Sequence, residues 1–332
     1  MSELTTSTET GTIGIFHLKR LWQKTLMNEK GHPVELTLEN AMLDLLGLGM
    51  LPTFRFLHEQ QPDFTSFEAW IASHHGGNVP EQLVAQCNAL FTGPIPINNP
   101  GTSTEGNALS EEDLCFWDKH GYVIIRNAIA GEDCKASRDA VWHFLGMDEN
   151  DPATWYKDME ALEGIMVTLY RHPVLDRNRA SPKIRRAYEQ LWKRNDLIVT
   201  TDKMGFNPPE TASFKYRGIG LHWDVSLATP IPFGAQGILY LTDTKPNQGA
   251  LTLVPGFHNK IEQWLSQLPT GCDPRQENLN QYAIPIAANA GDFIIWHHSL
   301  PHSSSANRAD CPRIVQYMYW YPPTVEMQEK WV

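Results

Sequence analysis

The chain has 332 residues, about twice a typical domain length, and its 42% hydrophobic content with 11 Trp and 13 Phe is ample for a packed core in one large domain or two unequal ones. A formal net charge of −11 argues against a nucleic-acid partner, because phosphate neutralisation needs a basic surface. No run approaches the roughly 18 apolar residues that span a bilayer, no basic-then-apolar leader is present, and five scattered cysteines without CxxC spacing favour reduced thiols, so the expectation is a cytoplasmic protein with no membrane partner.

Residues 1–14 are polar at their start and are expected to form a disordered tail. Residues 15–91 read as a helical segment: Ile15, Leu18, Trp22 and Leu26 recur at helical spacing, as do Leu38, Met42, Leu45 and Leu46. His74 and His75 beside Gly76-Gly77-Asn78 read as an exposed loop pair, since no carboxylate or third histidine stands nearby in sequence. Residues 92–109 are rich in Pro, Gly, Asn, Ser and Thr and read as a linker. Ser110 with Asp113 then forms a capping-box pattern that opens the helix SEEDLCFWDKHG, ended by Gly121 and followed by YVIIRNAI as a buried strand. Helical patterns return to about residue 195. They include the stretch Arg171–Arg194, with eight basic residues against Asp176 and Glu189. That stretch reads as a solvated helix face in preference to a patch steering an anion.

After residue 196 the texture changes to strands and turns: LIVTTDKMGF, FKYRGIGLHWD, QGILYLTDT, GALTLVPG, YAIPIAA, GDFIIWHH and RIVQYMYWY. Short strands at such spacing indicate a sandwich or barrel. Helices ahead of a β-rich half suggest a jelly roll, mainly β with α, with a helical cover and an N-terminal helical segment.

A facial triad of two histidines and one carboxylate holds a metal and leaves three positions open for chemistry. Residues i and i+2 of a strand share a face, so His-x-Asp delivers two such ligands together. His222-Trp223-Asp224 has that form, with Trp223 turned the other way into the core. Given 13 His and 38 acidic residues, on the order of 1.5 such triplets arise by chance, and the chain holds this one alone. A third ligand is open among His297, His298 and His302. Arg313 follows at the start of an apolar strand; an arginine turned inward there is costly unless it meets an anion, and its planar fork suits a carboxylate.

Together these pieces resemble the phytanoyl-CoA dioxygenase family over residues 110–322. The resemblance rests on the opening helix with GYVII, the HxD, the turn NQGALTLVPGFH, and the block of Gly291, Asp292, His297, His302, Ser304, Asn307 and Arg313. It implies a cupin-like double-stranded β-helix as the catalytic domain, residues 110–332. It implies Fe(II) held by His222, Asp224 and His302, and 2-oxoglutarate clamped by Arg313, with Ser304 sharing that carboxylate and Tyr240 against the cosubstrate. O2 is the second cosubstrate and a small molecule the substrate. His297 matches a position near the site without being a ligand, and His258 belongs to a turn with a structural role. Halogenating members lack the carboxylate ligand, so Asp224 favours hydroxylation or a related oxidation. Residues 15–91 match nothing in the family core and are expected to shape substrate access or assembly, a homo-oligomer through these helices being the open option. Two rival readings stand beside this one: a catalytically silent jelly roll acting as a binding or assembly module, and a cupin-like metal enzyme that uses no 2-oxoglutarate.

Overall fold

The structure, a computed structural model, describes residues 4–29, 31–92, 106–324, 328 and 330–332. Its strands are β1 (Tyr122–Ile125), β2 (Leu162–Glu163), β3 (Met166–Val167), β4 (Ile198–Val199), β5 (Met204–Asn207), β6 (Ala235–Tyr240), β7 (Leu251–Leu253), β8 (Ile284–Ile286), β9 (Phe293–His297), β10 (His302–Ser304), β11 (Arg313–Tyr317) and β12 (Trp320–Tyr321). Its helices are α1 (Leu18–Leu26), α2 (Pro33–Leu45), α3 (Met50–Gln60), α4 (Phe64–Ser73), α5 (Glu81–Ala89), α6 (Glu111–His120), α7 (Gly131–Leu145), α8 (Pro173–Arg179), α9 (Pro182–Trp192) and α10 (Ile261–Gln267). No helix among the described residues is long and apolar enough to cross a membrane.

Contacts divide the chain into two compact units: Met1–Gly101 with Lys193–Thr201 and Tyr321–Glu329, and Thr102–Trp192 with Asp202–Trp320 and Lys330–Val332. The second unit is a jelly roll with a helical cover. Seven strands form one sheet in the order β1-β9-β6-β11-β5-β3-β2, and three form another in the order β10-β7-β8. All described pairings in both sheets are antiparallel. Alternation along the strands builds the core: Ile238, Tyr240, Ile294, Trp296 and Val315 of the larger sheet join Leu251, Leu253 and Ile286 of the smaller one in a single apolar cluster. Residues on the opposite face of the larger sheet meet the helices. The Tyr188 ring of α9 packs edge-on against Phe293, and Asn178 of α8 donates to the Gln316 side chain at 2.8 Å.

The capping box at Ser110 forms in both directions, and Gly121 ends α6 in the left-handed conformation that a glycine adopts without strain. The basic stretch pairs off along its own helices and neighbours, as in Arg177–Asp133, Arg185–Glu189 and Arg194–Asp196. The strand expected over FKYRGIGLHWD does not form. The Thr211 hydroxyl and the Glu210 carboxylate take the backbone N–H groups of Phe214 and Tyr216, which offers this segment a local alternative to a sheet ladder.

In the first unit the helical stripes bury against one another: Leu18 and Leu21 of α1, Met42 of α2, Leu57 of α3 and Phe67 and Ile71 of α4 share a core with Ile198. Buried charge there is paired, with Glu39 accepting from Lys24 at 2.5 Å and meeting the His17 ring at 3.0 Å. Three expectations need correction. Residues 4–14 are not a loose tail: Glu68 accepts from the Thr12 and Ile13 N–H groups, and Gln23 from that of Thr5. His74 and His75 are half-buried and bonded to the carbonyls of Trp70 and Leu46. The catalytic domain expected over 110–332 is not continuous, because Asp44 draws two later segments to α2, accepting from the Thr201 N–H at 2.8 Å and the Tyr321 hydroxyl at 2.7 Å. The linker expected at 92–109 lies, for residues 93–105, outside the described residues.

Removing the Asp44 carboxylate takes the acceptor from the buried Thr201 N–H and the Tyr321 hydroxyl together. Asp44→Ala is expected to destabilise the protein by about 2 kcal/mol or more, read as a lowered urea midpoint; an unchanged midpoint would show that Asp44 does not tie these segments together.

Candidate active site

The site is built on one antiparallel bridge. His222 lies in the irregular segment before β6 and His302 opens β10, and each donates its backbone N–H to the other's carbonyl at 3.0 Å. This sets the two imidazoles side by side, their ring centroids 4.5 Å apart. Each ring is then fixed by the carbonyl two residues before it: His222 Nδ1 lies 2.8 Å from the Gly220 oxygen and His302 Nδ1 lies 3.2 Å from the Leu300 oxygen. A carbonyl only accepts, so both Nδ1 atoms carry the proton and both Nε2 atoms present lone pairs in the neutral ring. Those Nε2 atoms face Asp224, at 3.5 Å from His222 and 3.1 Å from His302. One ligand atom from each of the three residues lies within 4.8 Å of the others. Two lone pairs and a carboxylate turned on one point repel each other unless a cation stands between them, so the donor set of two imidazole nitrogens and one carboxylate fits a divalent metal with open positions.

The electrostatics agree. Burial, with His302 alongside, pushes the His222 imidazole below its ordinary value and favours the neutral ligand form. Burial works to raise the Asp224 carboxyl, but its contacts with His302 and Gln236 outweigh that and hold it well below the usual carboxylate range. Gln236 is a residue that sequence reasoning missed. Its amide donates to Asp224 Oδ2 at 2.7 Å while its own oxygen accepts from the Trp296 indole at 3.1 Å. Gln236, Ile238 and Tyr240 share one face of β6, so a polar side chain on an otherwise core-facing row was the available signal.

The other histidines stand apart from this point. His298 donates to the Pro232 carbonyl at 2.6 Å and His297 accepts from the Ser299 N–H at 3.1 Å. Burial pushes His297 down to about 3 and His298 down to about 4, so both are uncharged. The His258 ring sits against the Asp118 carbonyl. Trp223 is buried, donates to the Ser299 carbonyl and packs on Phe257 and Trp264.

Among the described residues Arg313 is the largest fully buried side chain, and none of its three nitrogens has a hydrogen-bond partner there. A buried guanidinium of this kind is unfavourable by several kcal/mol without an anion, on the order of the penalty for an unpaired interior charge. Tyr216 and Tyr240 stand beside it. Burial pushes both phenols up to about 12, against the pull of the Arg313 charge. The Tyr240 hydroxyl is already committed, donating to the Ile286 carbonyl and accepting from the Leu251 N–H. That of Tyr216 donates to the Ser304 carbonyl. A cavity of about 350 Å³ opens on His222, Asp224 and His302 and is also lined by Ser304, Tyr216 and Trp296; Arg313 and Tyr240 lie outside its lining, with Tyr216 joining the two groups.

Residues 117–315, more than half of the chain, match the family model described as phytanoyl-CoA dioxygenase (PhyH). Among curated relatives, the "Putative phytanoyl-CoA dioxygenase" of Dictyostelium discoideum is 23% identical over 259 residues, covering 62% of this chain and 74% of its own. The ectoine dioxygenase of Bordetella bronchiseptica is 20% identical over 248 residues, covering 66% of this chain and 78% of its own. Among solved structures, apo EctD from S. alaskensis aligns over 69% of this chain and 82% of its own at 17% identity and a TM-score of 0.49.

Gln236 holds a candidate ligand from outside the metal's own contacts. Gln236→Leu is expected to weaken Fe(II) binding about 10- to 100-fold while leaving the fold intact, measured by anaerobic metal titration alongside circular dichroism; unchanged affinity would dismiss the Gln236 amide as an orienting group.

Proposed function

Because the chain belongs to the phytanoyl-CoA dioxygenase family, we propose that it is an Fe(II)- and 2-oxoglutarate-dependent oxygenase that hydroxylates, or otherwise oxidises, a small organic substrate. The observation that carries this reading is the convergence of His222 Nε2, Asp224 and His302 Nε2 with both ring protons turned away onto carbonyls. The five free thiols suit a reducing compartment, so we place the enzyme in the cytoplasm.

In this reading His222, Asp224 and His302 hold the iron on one face. Held there, Fe(II) with 2-oxoglutarate and O2 supplies the oxidation of an unactivated C–H bond, the cosubstrate leaving as succinate and CO2. The protein's own part is positioning and charge. Arg313 offers its buried fork to the distal carboxylate of 2-oxoglutarate, where the ion pair replaces an unpaired interior charge. Ser304, on the cavity wall, offers its hydroxyl to the same carboxylate. Tyr240, its hydroxyl committed within the core, contributes ring surface beside Arg313 and no hydrogen bond to the cosubstrate. The cavity seats the substrate next to the three ligands, with the Trp296 and Tyr216 rings limiting water. Arg313 favours this reading over a cupin-like metal enzyme without 2-oxoglutarate, which has no use for a buried orphan guanidinium.

Succinate formation tests the assignment. His222→Ala, Asp224→Ala and His302→Ala are each expected to abolish 2-oxoglutarate turnover with the fold retained. Activity that survives in His302→Ala and is lost in His298→Ala would move the third ligand to His298.

Arg313→Lys keeps the charge and loses the fork. The apparent affinity for 2-oxoglutarate is expected to fall tenfold or more, about 1.4 kcal/mol, in an anaerobic titration of the weak visible charge-transfer band. An unchanged dependence on 2-oxoglutarate would remove the clamp from the proposal.

A further inference from the structure

The cavity beside the candidate iron ligands carries more formal charge than those ligands account for. Glu163, Asp202 and Arg217 also line it. Most of this charge cancels in place. Glu163 pairs with Lys203, and Arg217 pairs with Asp158 at 3.1 Å. Asp224 is engaged by His302 and Gln236.

Asp202 differs. Its carboxylate accepts one hydrogen bond, from the Lys203 backbone N–H at 2.7 Å, and forms no ion pair among the described residues. Arg179, a buried cation beside it, donates from Nη1 to Asp176 and from Nη2 to the backbone carbonyls of Tyr170 and Asp202. Burial pushes the Asp202 carboxyl up from its ordinary value, against the Lys203 N–H and the charges of Arg179 and Lys203. A desolvated carboxylate with spare lone pairs gains most from a charge-assisted donor.

The rest of the wall suits the same partner. The rings of Tyr216, Trp296, Tyr317 and Tyr319 line the cavity, and aromatic faces attract a cation through their quadrupole. Arg313 sets the opposite preference for the anionic cosubstrate and does not line this space, so the two charge preferences are held apart.

We propose that Asp202 is a specificity-determining residue that anchors a compact organic ammonium group of the substrate inside this aromatic-walled cavity. The proposal rests on the oxygenase reading above and adds the substrate's chemical class. An anionic substrate is disfavoured by the unpaired Asp202, and a neutral one leaves its lone pairs unused.

The test uses the full chain loaded anaerobically with Fe(II) and 2-oxoglutarate. Binding of primary ammonium ions from ethylammonium to phenethylammonium is followed by tryptophan fluorescence, with phenethyl alcohol and 3-phenylpropanoate as neutral and anionic counterparts. At least one ammonium ion is expected to bind about tenfold or more tighter than both counterparts, and Asp202→Asn to lose about tenfold of that affinity while phenethyl alcohol binding stays the same. Asp202→Ser, which keeps an uncharged acceptor for the Lys203 N–H, is expected to behave likewise. No ammonium binding across the series, equal binding of the counterparts, or equal ammonium affinity in wild type and both variants overturns the proposal. The charge-transfer band of the 2-oxoglutarate chelate, read separately, should form in wild type and Asp202→Asn alike. Its absence in wild type would overturn the oxygenase reading, while the fluorescence titration still judges the cation preference.

Discussion

His222 and His302 exchange both of their backbone hydrogen bonds, and the local geometry of the site depends on that exchange. It places two imidazoles on one side of the bridge, and in each case the carbonyl two residues earlier receives the Nδ1 proton. The ring orientation and the tautomer are thus set by backbone alone, before any ligand arrives. Asp224, two residues from His222, is carried to the same point, where Gln236 and the indole of Trp296 fix its carboxylate from the larger sheet. The smaller sheet supports the histidine side, because His302 begins β10, which pairs with β7 through His302–Leu253. The donors thus sit on the side of the smaller sheet, Asp224 is steadied from the larger one, and their mutual distances depend on the packing of the layers.

The jelly roll and the N-terminal helices treat buried charge differently. In the helices Glu39 is met by both Lys24 and His17, and Glu35 by Arg20, so ions are balanced where they lie. At and near the cavity, among the described residues, Arg313 has no hydrogen-bond partner for any of its three nitrogens and Asp202 has no ion pair. Folding alone does not favour either arrangement, since an interior charge is tolerated when its counter-charge is close. A site that must receive one anion and a substrate has reason to leave such groups uncompensated, and locally unfavourable choices of this kind are expected to gather at functional positions.

The first compact unit is assembled from three separated stretches of chain. Asp44 illustrates the cause: one carboxylate on α2 satisfies Thr201 and Tyr321, which lie 157 and 277 residues away. Composition is blind to such returns, because the segments that come back are short and apolar like any other strand or loop.

Much of the architecture was local information. Ser110 and Asp113 announced a helix start, Gly121 its end, and the runs around β6, β7, β9 and β11 announced antiparallel strands, because capping and side-chain alternation act within a few residues. His222, Asp224 and the Arg313 strand were likewise readable as chemistry from residue type and spacing. Sequence spacing left His297, His298 and His302 level as candidates. The structure separates them, since only His302 reaches Asp224, 78 residues away in the chain. It also shows that His222 comes from a lone bridge and not a strand, that residues 4–14 are tied down by Glu68 and Gln23, and that Gln236 rather than a charged residue steadies Asp224. Each of these depends on which distant groups are brought within hydrogen-bond reach of one another. That pairing is decided when sheets and helices pack, and no short window of sequence contains both partners.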